Sequence, residues 1–227
     1  GTAWAAQTSG TTNPLRGVWG SSGTNVFAVG DGGTILRSTN GTAWSAQTSG
    51  ITTQLRAVHG SGASNVWAVG TGGVIRFWNG TTWGAQTSGV TTQLNAVFAS
   101  NSTNIWAVGS GGVVRKGGGT TWAAQTSASS ADLNGVWAAS TTSLLASGSS
   151  SAQMVSTNGT AWSNVNLSAL GTFNGVFGTS STIGWAVGDG GAIFKRDNAT
   201  AGPLPGSVVI PRGATTLDLA PRTKDDT

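Results

Sequence analysis

Few residues in this sequence are of a type that could carry out catalysis. It contains no cysteine, no tyrosine and no glutamate, and its one histidine is His59. Glycoside hydrolysis needs two carboxylates at a defined separation, and a serine nucleophile needs a histidine beside it. The first 198 residues offer four carboxylates: Asp31, Asp132, Asp189 and Asp197. We therefore expect no enzymatic activity, no cofactor and no histidine metal cluster.

His59 stands at a position that other parts of the chain fill with large aromatic residues. Its counterparts are Trp19, Phe98, Trp137 and Phe177. A position that carries tryptophan or phenylalanine elsewhere is typical of a core, so we expect His59 to be a core residue.

Composition limits the partners of the chain. It has 227 residues and a formal charge of +4, and its basic residues occur singly or in pairs such as Arg115-Lys116. Nucleic-acid binders concentrate Lys and Arg on one face, so we expect no nucleic-acid partner. There is no apolar run near eighteen residues, so we expect no membrane insertion.

The absence of cysteine fits either a reducing compartment or a secreted bacterial protein that needs no disulfides. Low charge and loops rich in Ser, Thr, Asn and Gly favour a secreted or cell-surface bacterial protein. Gly1 opens directly into repeat sequence, so we expect no signal peptide in this chain.

Five repeats of about forty residues dominate the sequence. They start at Gly1, Gly41, Gly80, Gly119 and Gly159, and each opens Gly-Thr-(Ala/Thr)-Trp. Each repeat holds four short strand-like pieces separated by clusters of Gly, Ser, Thr or Asn. This pattern predicts an all-β fold over residues 1–198, a five-bladed β-propeller with four antiparallel strands per blade.

The second repeat shows how a blade is assembled. Its pieces are residues 42–48, 55–60, 65–70 and 74–78. We expect the order 55–60, 65–70 and 74–78 from the channel outward, followed by the first piece of the next repeat. The N-terminal piece, residues 2–8, then pairs with the last blade and closes the ring, which removes two exposed sheet edges. We expect such a ring to be a monomer. A solenoid is the alternative, but it needs polar caps that the sequence lacks.

Two short motifs resemble known propeller families. Residues 38–44 and 156–162, Ser-Thr-Asn-Gly-Thr-Ala-Trp, resemble a shortened Asp-box, the hairpin motif of bacterial neuraminidase repeats. Residues 67–75, Trp-Ala-Val-Gly-Thr-Gly-Gly-Val-Ile, resemble the repeat of photosystem II assembly-factor-type propellers and of many bacterial secreted proteins. Both resemblances imply a propeller. In the Asp-box, Ser and Asn are expected to cap the hairpin turn while Trp packs between blades.

The composition changes after residue 198, and four of the five prolines lie between Pro203 and Pro221. Residues 199–227 are therefore predicted to be a separate segment. Residues 200–215 resemble the middle of a Calx-β domain, which implies a piece of a larger modular surface protein. The alternative is a Pro-rich tail. The pair Asp225-Asp226 is too small a set of oxygen ligands for a Ca²⁺ site.

Two sets of polar residues recur blade by blade and are the candidate binding residues. The first set begins each inner strand and consists of Arg16, Arg56, Asn95, Asn134 and Asn174. The second set lies in the turns between the second and third strands and consists of Asp31, Thr71, Ser110, Ser149 and Asp189. Either they bind a ligand together, or the first set joins neighbouring blades and the second shapes the turns.

Trp78 differs from its counterparts Ser38, Gly117 and Ser156, so we expect an exposed indole that could stack on a sugar. The function is then predicted to be non-enzymatic binding, with a lectin-like module for glycans as the first hypothesis. The second is a structural or protein-docking scaffold without a small ligand. A photosystem assembly role is the third hypothesis. It ranks last because a shared fold does not by itself carry function.

Overall fold

A computed structural model of the chain describes residues 3–165 and 171–196. These residues form nineteen β strands arranged in five antiparallel sheets, one for each repeat. None of the helices in these two ranges is long and apolar enough to cross a membrane. Residues 199–227, with the Calx-β-like stretch, lie outside the described residues, so that interpretation stays a prediction.

The first four sheets have four strands each, and the strands follow chain order across the sheet. We call the sheets blades 1 to 5. Blade 1 is β1 (Leu15–Ser22), β2 (Asn25–Gly30), β3 (Ile35–Ser38) and β4 (Ser45–Ala46); blade 2 is β5 (Leu55–Gly62), β6 (Asn65–Gly70), β7 (Ile75–Trp78) and β8 (Trp83–Gln86). Blade 3 is β9 (Leu94–Asn101), β10 (Asn104–Gly109), β11 (Val114–Gly118) and β12 (Thr121–Ala124); blade 4 is β13 (Leu133–Ala138), β14 (Leu144–Gly148), β15 (Gln153–Ser156) and β16 (Ser163–Asn164). Blade 5 has three strands among the described residues: β17 (Phe173–Gly178), β18 (Gly184–Gly188) and β19 (Ile193–Arg196).

The predicted strand order within a blade is confirmed. The fourth strand of each complete blade comes from the start of the following repeat, as β8 does for blade 2. The second strand is apolar on both faces because it is covered by a blade on each side, and β6 is buried from Val66 to Gly70. The core therefore lies between blades, in three clusters that join blades 1 and 2, 2 and 3, and 3 and 4.

Glycine pairs shape the turn between the second and third strands. In blade 2, Gly72 and Gly73 have φ of 72° and 70°, a left-handed conformation that glycine adopts without steric cost. Blade 4 has Ser150 and Ser151 at these positions, with φ of 52° and 61°. The backbone N–H groups of Gly148 and Ser149 make the bonds that those of Gly70 and Thr71 make in blade 2. The serines therefore hold a left-handed backbone conformation that disfavours them.

The hairpin before the fourth strand is capped as the Ser-Thr-Asn-Gly motif predicts. Asn40 Oδ1 accepts hydrogen bonds from the backbone N–H of Thr42 and Ala43, at 3.0 and 2.8 Å. Ser38 Oγ accepts one from Gly41 N–H at 2.9 Å. The motif thus acts on local backbone conformation, and its polar atoms are used within the turn.

Ring closure is not confirmed. Residues 3–14 form no strand, and within the described ranges no sheet joins them to β19. Apolar side chains are exposed on the first and the last blade, including Val18 and Ile193. The two end blades therefore present open faces in this structure.

Candidate binding face

The start of each inner strand places one polar residue in the same position on every blade. Leu55, Leu94, Leu133 and Phe173 begin their strands fully buried. The next residue stands in a β-bulge, where the register with the second strand shifts by one residue, and it is left unpaired in the ladder. This position holds the first predicted set: Arg16, Arg56, Asn95, Asn134 and Asn174.

A backbone hydrogen bond brings the second predicted set beside the first in every blade. The N–H of the first turn residue donates to the carbonyl just before the inner strand, as Thr71 does to Gln54 at 3.0 Å. The same bond is made by Asp31, Ser110, Ser149 and Asp189, to Pro14, Gln93, Asp132 and Thr172. The two sets therefore lie together along one edge of the blades, which we call the polar edge.

The polar edge of blades 1 and 2 carries a continuous chain of hydrogen bonds. Arg16 donates from Nε and Nη2 to the two oxygens of Asp31, the second bond at 2.8 Å. Gln54 Nε2 also donates to Asp31, at 2.7 Å, and its Oε1 accepts from Arg56 Nη1 at 2.9 Å. The bond from Arg16 lowers the pKa of Asp31, and Gln54 adds to this effect. Asp31 is thus held as a carboxylate between two blades.

This series of hydrogen bonds changes the expected roles of the two arginines. The fork of Arg16 is occupied by Asp31, whereas Arg56 uses Nη1 alone among the contacts of the described residues. Arg56 therefore has guanidinium donors that a ligand carboxylate could accept from, in an orientation fixed by Gln54.

Two of the three asparagines of the first set join neighbouring blades. Asn95 Nδ2 donates to the carbonyl of Leu133 at 2.9 Å, and Asn134 Nδ2 donates to that of Phe173 at 3.0 Å. In contrast, Asn174 donates to Asp189 within blade 5, at 2.9 Å, and both side chains are exposed. The structural role expected as the alternative accounts for Asn95 and Asn134.

Trp78 does not lie on a surface, so the expectation of an exposed indole is wrong. It is 3% exposed, and its Nε1 donates to the carbonyl of Ala63 at 3.2 Å. Its ring lies 5.8 Å from those of Phe27 and Trp83, and the guanidinium of Arg37 covers it at 5.1 Å. Trp78 fills the interface between blades 1 and 2 and offers no platform for a sugar.

His59 is half-buried in a row of aromatic rings along the inner strands, so it packs against its neighbours as expected but is not part of the fully buried core. Its ring lies 5.7 Å from Trp19 and 4.6 Å from Phe98. Nδ1 accepts a hydrogen bond from the N–H of Ala99 at 3.2 Å, so the ring is neutral with Nδ1 unprotonated. Burial lowers the pKa of His59 to about 4. In the described residues no three His, Cys, Asp or Glu side chains form a group that could hold a metal ion.

Gln54, which links the two arginines through Asp31, was not among the predicted residues. A signal was present, because the residue before the inner strand is also polar in blades 3 and 4, as Gln93 and Asp132. Gln93 donates to Asn95 at 2.7 Å, and Asp132 accepts from the N–H of Gly111 at 2.8 Å. These side chains form a third polar row that supports the other two.

No family model matches this sequence, and no curated protein matches it either. Solved structures of other proteins do match it. YCF48 bound to a D1 peptide matches with a TM-score of 0.67 at 16% identity, over 86% of this chain and 68% of that one. The WD40 β-propeller domain of Doa1 matches with a TM-score of 0.69 at 12% identity, over 83% of this chain and 67% of that one. At these identities the likeness concerns the fold alone, and the fold is that of β-propeller proteins.

Proposed function

We propose that this chain is a non-enzymatic protein-interaction module that binds a carboxylate-bearing peptide segment at the polar edge of blades 1 and 2. The observation that carries this proposal is the Arg16–Asp31–Gln54–Arg56 chain of hydrogen bonds. It holds Arg56 in place while leaving guanidinium donors unused. A donor group that is already oriented loses little conformational freedom when a ligand binds.

The structural neighbours support a protein partner in general terms. Propellers are commonly interaction or scaffold modules, and YCF48 is a propeller solved with a bound peptide. For this chain, a photosystem assembly role is a narrower form of the same proposal, and the D1 peptide is one probe for it.

A glycan is the second candidate ligand, and one observation favours it. Asn174 and Asp189 form an exposed amide–carboxylate pair on blade 5, and such a pair can both donate to and accept from sugar hydroxyls. Three of the residues predicted to bind a glycan have structural roles instead. Trp78 is buried, and Asn95 and Asn134 form hydrogen bonds between blades.

The remaining features of the proposal rest on the sequence. We propose that the chain has no catalytic activity, because it has no Glu, Tyr or Cys and because its one histidine is committed to packing. We also propose a secreted or cell-surface location, on the basis of its low charge and polar loops.

Binding measurements on the full chain test the proposal. A peptide array with free and amidated carboxylates is compared with a glycan array, and hits are measured with the variants Arg56→Gln and Arg115→Gln. Arg115 is the matched control because it lies on the third strand of blade 3, where its Nη2 donates to the carbonyl of Gly89 in the segment after β8.

We expect Arg56→Gln to weaken carboxylate peptides about tenfold to a hundredfold, since a hydrogen bond to a charged group contributes about 1.5 to 3 kcal/mol. Arg115→Gln should leave affinity unchanged. Binding of glycans alone, or peptide binding that is insensitive to Arg56→Gln, would overturn the proposal.

A further inference from the structure

The first and last blades expose apolar side chains whose counterparts in the other blades are buried. Val18 of blade 1 is 69% exposed, whereas Val58, Val97 and Val136 are each 6% exposed. Val187 of blade 5 is 47% exposed, whereas Val29, Val69 and Val108 are each 0% exposed. Each end therefore has the side chains of an interface and lacks the neighbour that covers them.

The two open faces are the two halves of one repeated interface. Between blades 1 and 2, Val29 and Ile35 of the earlier blade pack with Leu55 and Val58 of the later one. Blade 5 has Val187 and Ile193 at the positions of Val29 and Ile35. Blade 1 has Leu15 and Val18 at the positions of Leu55 and Val58. All four of these end-blade side chains are exposed. The blade-5 face is thus built to receive a blade-1 face.

A second match concerns the inner-strand aromatics, which pack over a small residue of the next blade. A Cβ atom on Gly60 would lie 2.6 Å from the ring of Trp19, and one on Gly178 would lie 2.4 Å from the ring of Trp137. Phe177 is exposed, and no sheet among the described residues follows blade 5. The corresponding glycine is Gly20 of blade 1, where the three atoms nearest to an added Cβ belong to Ser22, Val26 and Asn25 and none belongs to an aromatic ring. Gly20 is therefore the glycine that the ring of Phe177 would face.

The N-terminal segment, residues 3–9, lies where an earlier blade would place its outer strand. Gln7 Oε1 accepts from Trp44 Nε1 at 2.6 Å, and Gln7 Nε2 donates to the carbonyl of Gly41 at 3.0 Å. Gln86 in the outer strand of blade 2 makes the same two bonds to blade 3, with Trp122 and Gly119, at 2.8 and 2.9 Å. Blade 5 has three strands among the described residues, where β19 pairs with β18 and the N-terminal segment belongs to no sheet.

We propose that the open face of blade 5 binds the blade-1 face and N-terminal segment of a second copy of this chain, head to tail. Docking of blade 1 would cover Phe177, Val187 and Ile193 and would bring the N-terminal segment of the second copy close to blade 5. Within the chain both faces stay exposed, so each is available to the matching face of a second copy. Closure within one chain is the other outcome of the test. Such a contact is heterologous, since it uses different surfaces on the two copies.

Mass measurement on the full chain tests this proposal, by light scattering after gel filtration from low micromolar to several hundred micromolar. Three variants are compared with the parent chain: Val18→Asp, the double variant Val187→Asp/Ile193→Asp, and the control Val165→Asp. Val165 is an exposed valine outside both end faces. Because the substituted side chains are already exposed, we expect near-parental melting curves at low concentration.

We expect the parent chain and Val165→Asp to gain mass with concentration, and each end-face variant to stay monomeric. The decisive measurement is the mixture of Val18→Asp with Val187→Asp/Ile193→Asp. One variant keeps an intact blade-5 face and the other an intact blade-1 face, so the mixture should form a one-to-one complex that grows no further.

Three outcomes would overturn the proposal. A parent chain that is monomeric at every concentration would indicate closure within one chain or another partner. Association that persists in either end-face variant would place the contact elsewhere. A mixture that stays monomeric would exclude head-to-tail pairing even if the parent associates.

Discussion

The stability of this protein should fall as the pH is lowered from 7 to 5, and His59 should be the cause. Burial between Trp19 and Phe98 lowers the pKa of His59 to about 4, against an ordinary value of 6.5. Between these values the unfolded chain binds a proton that the folded chain does not. The stabilisation is therefore complete above pH 6.5 and is lost progressively as the pH falls towards 4.

The size of this effect follows from the two pKa values. Linkage gives a loss of about 2 kcal/mol between pH 7 and 5, and no more than about 3 kcal/mol by pH 4. For a domain of this size the loss at pH 5 corresponds to a melting temperature lower by about 4 to 8 °C. His59 is the one histidine in the chain, and carboxylates titrate mainly below this range. The change in stability between pH 7 and 5 is therefore attributed to His59.

Urea unfolding followed by tryptophan fluorescence at pH 7, 6 and 5 measures the effect, with His59→Phe as the comparison. Phenylalanine stands at this position in blades 3 and 5. It leaves the N–H of Ala99 without its acceptor, at a cost of about 1 kcal/mol that extra ring packing offsets in part. The variant should therefore be close to the parent at pH 7 and should lose the pH dependence. If His59→Phe keeps the slope, or if the parent is equally stable at pH 7 and 5, the reasoning is wrong.

Three further predictions concern the backbone of a turn and the packing between blades. Ser150→Gly should stabilise the fold by about 1 kcal/mol, because it relieves a left-handed serine, and urea unfolding that shows no gain would contradict this. Gly60→Ala should destabilise it by about 1 to 3 kcal/mol, because the new Cβ meets Trp19, whereas Gly62→Ala, which has open space, should stay within about 0.5 kcal/mol in thermal melts. Trp78→Ala should destabilise it by about 3 to 5 kcal/mol, and a melting temperature near the parental one would mean that its burial contributes little.

Blade structure could be predicted from the sequence because its determinants are local and repeated. An apolar six-residue strand followed by a Gly-Gly turn defines the second and third strands of a blade, as in residues 65–78. Pairing in chain order then requires only short connections. Closure of the ring depends on small rotations at each interface. The same residues accommodate a range of such rotations, so the sequence does not specify the gap between blades 1 and 5.

The error over Trp78 arose from comparing it with small residues at the equivalent positions. Cross-strand pairing was the better guide. Trp78 lies directly opposite Trp83 in the hairpin of β7 and β8, and paired residues point to the same side of a sheet. The tryptophan of residues 38–44 and 156–162 was expected to pack between blades, and Trp83 stands at the equivalent position. Its cross-strand partner Trp78 therefore had to pack there as well. The Arg16–Asp31 pair was harder to predict from the sequence, because Arg16 and Asp31 are brought together only by the turn that ties Asp31 to Pro14.

Repeats this similar raise the question of what keeps the blades in order, since any blade face could in principle pack on any other. The inner-strand aromatics supply part of the answer. Trp19 and Trp137 face Gly60 and Gly178, where a methyl group would clash. The smaller ring of His59 faces Ala99, and its Nδ1 accepts the hydrogen bond of the Ala99 N–H. A tryptophan blade therefore cannot pack on an alanine blade without strain, and this size matching disfavours incorrect pairings that the rest of the repeat would permit.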